Sequence, residues 1–290
     1  MERNALYKLE IERRLNKTDY TRLPRLLGFQ NTYDNTNSTD ELKNMLEIAD
    51  INGSKYIELY QLKTTADISR ILQNLVSITY QPNIPYIENQ GDLSIIKVSS
   101  NGLNFEILAD FYMVEEVWHK SEDGRAQTLI PRHLRKVLHL RYNHVNRKLI
   151  LTIDPIGDGV KIAEDIRRYI NIIFQTYNIN FYEFFEIVDI DNAIYTMIDN
   201  HLLRPKRVKS KDDNSNRIYD TLAQNPNDSL SDEAIFTDTR SNTLNLDRMR
   251  LKHDNFNINV ELFGNDLLKI WSRANWEQSD GIKENIIEFL

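Results

Sequence analysis

The sequence predicts an α+β fold, with an N-terminal helical module followed by an antiparallel sheet packed against long helices. Three observations carry the prediction. Before residue 80 apolar residues recur at helical spacing behind capping signals. From residue 103 β-branched and aromatic residues dominate, and the runs are broken by short polar turns. A long amphipathic run then returns at 160–177. The reading places one unit at 1–99 and a second at 100–290, the second carrying a polar and flexible insertion at about 204–250.

Residues 1–22 read as a charged helix around Leu6, Leu9 and Leu15. "NTYDNTNSTD" (31–40) is a polar loop that ends in a capping box, with Ser38 bonding the amide three residues on and Glu41 reaching back. Leu42, Leu46 and Ala49 line the helix that follows, and "NGS" (52–54) stops it. "KYIELYQL" reads as a second short helix capped by Ser54. Thr64 and Asp67 open a third, where Ile68, Ile71, Leu72, Leu75 and Val76 form one apolar stripe until Pro82 and Pro85. "NQGD" between "IPYIE" and "LSIIKVS" signals a hairpin.

"LNFEILADFYMVEEVWHK", "RAQTLIPR", "KVLHLRYN" and "KLILTID" read as an antiparallel meander, with "DG" (123–124) as one turn. Ile162, Ile166, Tyr169, Ile170, Ile173 and Phe174 form the buried stripe of the long helix. A further helical region ends in "DNAIYTMIDNHLL", and a hairpin plus helix closes the chain.

Composition narrows the function classes. The chain has 290 residues, 41% of them hydrophobic, which is enough for a core. Its net charge of −7 argues against a basic nucleic-acid coat protein but leaves room for a local basic patch. With no cysteine, disulfides, thiolate metal sites and thiol nucleophiles are impossible. "MERNALYKLEIERRL" lacks the apolar segment of a secretory signal, and no run approaches the length of a membrane span. A cytoplasmic location without membrane contact is expected. G-x-S-x-G and H-E-x-x-H are absent, so neither esterase-type nor zincin chemistry has support. No cofactor or metal is expected.

Five constellations remain. In the first, three helices and a hairpin over 38–99 put Ser69, Arg70, Gln73 and Asn74 on the solvent face of the third helix, with Lys63, Thr64 and Thr65 at its start. Arg can grip guanine and Gln or Asn adenine by paired bonds, while the helix start suits phosphate. "TTADISRILQNLVSI" with its trailing hairpin resembles winged-helix DNA-binding domains. The resemblance implies duplex DNA as the partner, with Arg70, Gln73 and Asn74 reading bases and Lys63, Thr65 and Ser69 beside them. The same module can instead serve protein contacts.

In the second, Asp50 with Gln61 and Lys63 matches the acid and (Glu/Gln)-x-Lys of Mg²⁺-dependent PD-(D/E)xK nucleases, provided that 54–63 is a strand. The third is "RHLRKVLHLRYNHVNRK" (132–148), where Arg132, Arg135, Lys136, Arg141 and Lys148 gather without an acid. It reads as a phosphate-tracking sheet surface, or as a solvated face balanced by the acidic strand before it. His133, His139 and His144 lack metal-site spacing. The fourth, "RPKRVKSK" (204–211), reads as a basic arm or a helix end, and the fifth, "TIDPIGDG", as a β-to-α turn capped by Asp158. The function expected is non-enzymatic binding of nucleic acid for regulation or assembly. The alternatives are a protein-binding subunit of a larger complex, homo-oligomer included, and the nuclease.

Overall fold

Three helices begin the chain: α1 (Arg3–Arg14), α2 (Lys17–Leu26) and α3 (Thr39–Ile51). The structure is a computed structural model and describes residues 3–15, 17–28, 38–84, 93–120, 127–155, 159–225, 227–264, 266–271 and 274–290. The expected capping box starts α3. Ser38 Oγ accepts from the Glu41 amide at 3.2 Å, and Glu41 Oε2 accepts from the Ser38 amide at 2.9 Å. Leu42, Leu46 and Ala49 are buried as their spacing predicts. In α1 the buried residues are Tyr7 and Ile11, whereas Leu9 of the expected stripe is exposed.

Gly53 ends this region with φ +86°, and a Cβ there would lie 2.5 Å from the Arg14 carbonyl oxygen. Only glycine meets both demands. Gly53→Ala is expected to cost about 2–4 kcal/mol in urea unfolding. An unchanged midpoint would mean that the close approach does not hold.

The segment expected as the second helix is strand β1 (Lys55–Leu62). Its Tyr56, Leu59 and Tyr60 mimic helical spacing. The chain is extended because both faces and both edges of this segment are covered, and tertiary pairing overrides a local period. The third helix is also shorter than expected. It is α4 (Ile68–Leu72), five residues with Asp67 as its cap, and not a helix to residue 79. Ile68 and Ile71 are buried, but Val76 is exposed. After Leu72 the chain runs beside the edge of β2 (Ser94–Asn101), where Ile78 and Val98 exchange backbone bonds of 2.9 and 3.0 Å and the Gln81 amide donates to Ile96 O. Those edge groups outcompete further helical turns. Helix, strand, short helix and extended chain thus replace the three consecutive helices expected over 38–79. The hairpin tip "NQGD" lies outside the described residues.

The meander is present as β3 (Asn104–Lys120), β4 (Gln127–Asn143) and β5 (Lys148–Ile153). The turn at 123–124 lies outside the described residues. Helix α5 (Gly159–Gln175) buries Ile166, Ile170, Ile173 and Phe174 as expected. The proposed Asp158 cap lies outside the described residues. Then come α6 (Phe181–Phe184), β6 (Phe185–Ile187) and α7 (Asp191–Asp199).

The polar stretch expected as a flexible insertion is largely regular. It forms β7 (Leu203–Asp212), β8 (Arg217–Leu222), α8 (Ala234–Arg240) and the first part of β9 (Asn245–His253). Alternation hid β7. Leu203, Val208 and Ser210 are buried while Arg204, Arg207 and Lys209 between them pair with carboxylates, so the strand reads as polar. The chain ends in β10 (Ile258–Phe263), β11 (Leu267–Ile270) and α9 (Trp276–Glu288).

The eleven described strands join one antiparallel sheet, ten of them in the order β2-β3-β4-β5-β1-β11-β10-β9-β7-β8, with β6 pairing to β1 off this path. Strand β1, from the first 99 residues, lies in its middle. One edge of β1 pairs with β5, and the other pairs first with β11 and then with β6. Tyr56, Tyr60 and Leu62 enter a core under α5 and α6 with Leu138, Leu140 and Tyr142. Ile57 and Leu59 enter a second core with α7, α9 and β9–β11. A third lies where α1–α3 meet Leu108 and Val137. The mixture of helix and antiparallel sheet agrees with the α+β prediction. Among the described residues no helix is long and apolar enough to cross a membrane.

Candidate functional site

Where α1, α3 and β1 meet β3–β5, six charged side chains are packed together. Arg135, expected at the surface as a phosphate ligand, is fully buried. Its Nη1 and Nη2 each donate at 2.8 Å to the two oxygens of Asp50, and its Nε donates to Asp110 Oδ2 at 2.7 Å. The correction follows from register. Arg135 faces Tyr112 across the β3–β4 ladder, on the strand face that α1 and α3 cover.

The network continues on both sides. Tyr80 donates to Asp50 Oδ2 at 2.6 Å, and Asn83 donates twice to Asp110. Arg14 Nη1 donates to Asp154 Oδ2 at 2.5 Å, while its Nε lies 3.0 Å from Asp50 Oδ1 off the hydrogen-bond direction. Lys55 Nζ donates to Asp50 O at 2.6 Å and to Asp154 Oδ1. The Val137 amide donates to Asp154 Oδ2. Arg14, Lys55 and Arg135 thus balance Asp50, Asp110 and Asp154, three against three. Buried charges survive only when so paired.

Burial alone would raise the carboxyls of Asp50 and Asp154. The guanidiniums of Arg135 and Arg14 hold Asp50 below the usual range, and Arg14 with Lys55 does the same for Asp154. Burial pushes the Lys55 ammonium down, partly offset by Asp154. Burial and then Asp50 push the Tyr80 hydroxyl up.

This arrangement does not support the nuclease reading. Both Asp50 oxygens are taken by Arg135. Gln61 and Lys63 lie at the far end of β1 from Lys55, the residue that touches Asp50 O; six residues of strand span about 20 Å. Lys63 Nζ instead donates to Tyr182 O at 2.6 Å.

The remaining predicted residues are scattered. Arg70, Gln73 and Asn74 are exposed at α4, with the Arg70 guanidinium 5.5 Å from the Phe184 ring centroid and Asn74 Nδ2 bonded to Arg70 O. Thr65 is exposed and Ser69 half-buried, its amide bonded to the Asp67 cap. Arg132 is exposed, whereas Lys136 Nζ donates to Pro155 O at 2.6 Å. Arg141 and Lys148 border a groove of ≈ 240 Å³ that Glu284 and Glu288 of α9 also line. His139 is buried, and its Nε2–H donates to Glu106 Oε1 at 2.8 Å. Burial holds its ring pKa below the ordinary value, so it is neutral at pH 7. The cations of "RPKRVKSK" belong to β7 and have partners: Arg204 with Asp254, Arg207 with Asp220, Lys209 with Asp247.

Two features went unnoticed in the sequence. Asp189, Asp191 and Asp266 hold their carboxylates within 4.8 Å of one another, and burial followed by the charges of Asp266 and Asp189 pushes Asp191 up to about 6. The spacing Asp-x-Asp was visible, but Asp266 is distant in sequence. The second is a ribbon. Strand β2 pairs with β3 only as far as Asp110, and β5 with β4 only from Leu138. Beyond those points, among the described residues, β3 and β4 continue paired to each other alone, out to Lys120 and Gln127. Residues 127–133 are all exposed, among them Leu129 at 39% and Ile130 at 41%, with Val114 opposite at 58%. Equal apolar runs with a turn between them were legible. That neighbouring strands stop short of them was not.

The fold and site define a mixed helix and antiparallel-sheet protein with a charge-stapled interior and one projecting arm. No protein-family model matches the sequence, and a search of curated proteins finds no match.

Proposed function

We propose that this protein is a non-enzymatic, protein-binding subunit that docks a partner polypeptide on the β3–β4 ribbon. The observation that carries the reading is the ribbon itself. Over its outer part each strand has an edge that no other described strand pairs with, a row of backbone donors and acceptors that can pair with an added strand. A two-stranded hairpin is marginal in water, so such an arm gains order from a partner. Val114, Leu129 and Ile130 provide apolar anchors. Pro131 removes one donor on β4 and Arg132 adds a charge, features that limit indiscriminate edge pairing. The overall negative charge suits a protein partner better than a polyphosphate.

The test is site-specific photo-crosslinking at Ile130 in cells expressing the full chain. A discrete protein adduct is expected, lost in Leu129→Asp with unchanged folding. Crosslinks to nucleic acid, or no adduct, would reject the reading.

Nucleic-acid binding is the second reading, favoured by the exposed Arg70, Gln73, Asn74 and Arg132. It requires steeply salt-dependent affinity for duplex DNA that Arg70→Ala and Asn74→Ala reduce. Retention unaffected by both variants would leave the base-reading role without support.

A further inference from the structure

The two outer edges of the ribbon are not equivalent. In β4 the Val137 amide donates to Asp154 Oδ2, and the Val137 carbonyl accepts from the Asp154 amide at 3.0 Å. Both groups therefore point to the β5 side, away from β3. The β3–β4 register runs from Phe105↔Tyr142 to Lys120↔Gln127 without a shift. In an antiparallel ladder, residues bonded to the partner strand alternate with residues whose backbone groups face away from it, and opposite residues share one state. Arg135, His133, Pro131 and Leu129 accordingly face outward on β4, and Val114, Glu116 and Trp118 face outward on β3. The Arg135 carbonyl accepts from Arg13 at 2.9 Å and from Arg14 at 3.0 Å, side chains from outside the ladder, as the alternation requires.

The β4 edge is a poor template for an added strand. Its first outward carbonyl beyond Val137 is taken by Arg13 and Arg14, and Pro131, in the middle of what remains, has no amide hydrogen. The β3 edge has no such interruption. Beyond Tyr112, whose hydroxyl donates to Asn83 O, each of Val114, Glu116 and Trp118 keeps an outward amide and carbonyl. No proline breaks this run.

Charge selects the occupant. Val114 and Glu116 are exposed. Opposite Glu116 in the ladder stands Pro131, which offers no charge, whereas Arg132 stands opposite Glu115. A strand laid along β3 would place one of its residues directly beside Glu116, with about 5 Å between Cβ atoms. A carboxylate there is repelled, and a Lys or Arg is attracted. A second copy paired on Glu116 about a two-fold axis would set two carboxylates against each other, and each chain carries a net charge of −7.

We infer that the partner docks as an extended strand on the β3 edge, with a Lys or Arg beside Glu116 and an apolar residue beside Val114. The inference rests on the docking reading above and adds to it the edge and the chemistry of the occupant.

The probe is the synthetic peptide Ser-Thr-Val-Thr-Lys-Thr-Val-Thr-Ser, with glutamate in place of lysine as the comparison. Each is titrated into the isotope-labelled full chain and followed by backbone amide shifts. The lysine peptide is expected to bind with a Kd of about 1 mM or tighter, about fivefold better than the glutamate peptide. The largest shifts should fall on Val114, Glu116 and Trp118, and Glu116→Lys should reverse the preference. Val114→Pro removes an outward donor but no bond of the β3–β4 ladder, and should weaken binding about tenfold. His133→Pro, directly opposite on the other edge, should leave binding unchanged. If Val114→Pro does not fold, Glu116→Lys decides alone. Equal affinity for the two peptides, no binding at about 10 mM, or loss in His133→Pro but not in Val114→Pro would each overturn the inference. So would a dimer of the full chain that Val114→Pro dissolves, since a second copy would then hold the edge. The docking reading fails separately, through the absence of a protein adduct at Ile130. An adduct that survives both Val114→Pro and Glu116→Lys would keep that reading and reject the edge and charge assigned here.

Discussion

Arg135→Ala is expected to lower the unfolding free energy by about 3–5 kcal/mol, the range for removing one partner of a buried ion pair. The melting temperature should fall by roughly 6–12 °C. Two carboxylates lose their main partner at once. Asp50 loses a two-bond fork, and Asp110 keeps only the two bonds from Asn83. Asp50 keeps the Tyr80 bond and the Arg14 Nε at 3.0 Å, but neither Arg14 nor Lys55 can replace the fork, because Asp154 holds both. Arg135→Lys should fall between, since the charge remains and the planar fork does not. Removing both ends, as in Arg135→Met with Asp50→Leu, should cost less than the sum of the single variants. Denaturant titration measures all of these variants. A loss below about 1 kcal/mol in Arg135→Ala would mean that the network is hydrated rather than sealed.

The second large effect is on acid stability. Asp50 and Asp154 have carboxyls held below the usual range, and Glu106, despite burial, is brought to about 2 by His139 and Lys97. Because burial keeps His139 neutral at pH 7, Lys97 at 2.5 Å is the firmer cause there. Groups with depressed folded pKa stabilise the protein above their unfolded pKa, about 4, and that contribution is lost as pH falls through the folded value. Stability should therefore drop by on the order of 5 kcal/mol between pH 4 and 2. Asp191 acts with the opposite sign. Its folded pKa of about 6 exceeds the unfolded one, so the folded state binds the extra proton and stability declines as pH rises from about 4 through 6. The profile should peak near pH 4–5. Asp191→Asn should lessen the decline on the alkaline side, to which Asp266 and Glu58, also raised by burial, contribute, a gain of about 1–2 kcal/mol at pH 7 allowing for partial solvent screening. Melting temperatures from pH 2 to 8 provide the check. A profile flat from 4 to 2 would contradict the assignment of buried ionised carboxylates.

Several elements were legible because one local signal decided them. The capping box at Ser38 and Glu41, the stripe from Ile166 to Phe174 and the alternation of Leu138, Leu140 and Tyr142 against His139 and Arg141 all appear where the residues indicate. The failures share one cause. "KYIELYQL" has apolar residues compatible with either period, and it became a strand because β5, β6 and β11 were waiting on its two edges. "TTADISRILQNLVSI" has a helical stripe, yet Val76, Ile78 and Thr79 are β-branched and the edge of β2 offered bonds that ended the helix at Leu72. "RPKRVKSK" looked like a free basic arm because Asp220, Asp247 and Asp254 come later in the chain.

The candidate sites divide the same way. That the chain has no thiol chemistry, carries net negative charge and mixes helix with antiparallel strand was determined by the residues alone, because composition and short-range periodicity act before any long-range contact forms. Which charges would be sealed inside and which left to meet a partner was decided only by the tertiary structure. Arg132 and Arg135 are three positions apart in one strand, one exposed and one fully buried, and the difference lies in where the α1–α3 cover ends and the ribbon begins. Burial is a property of what packs against a residue, and α1 and α3 are brought to Arg135 from 80 or more residues away.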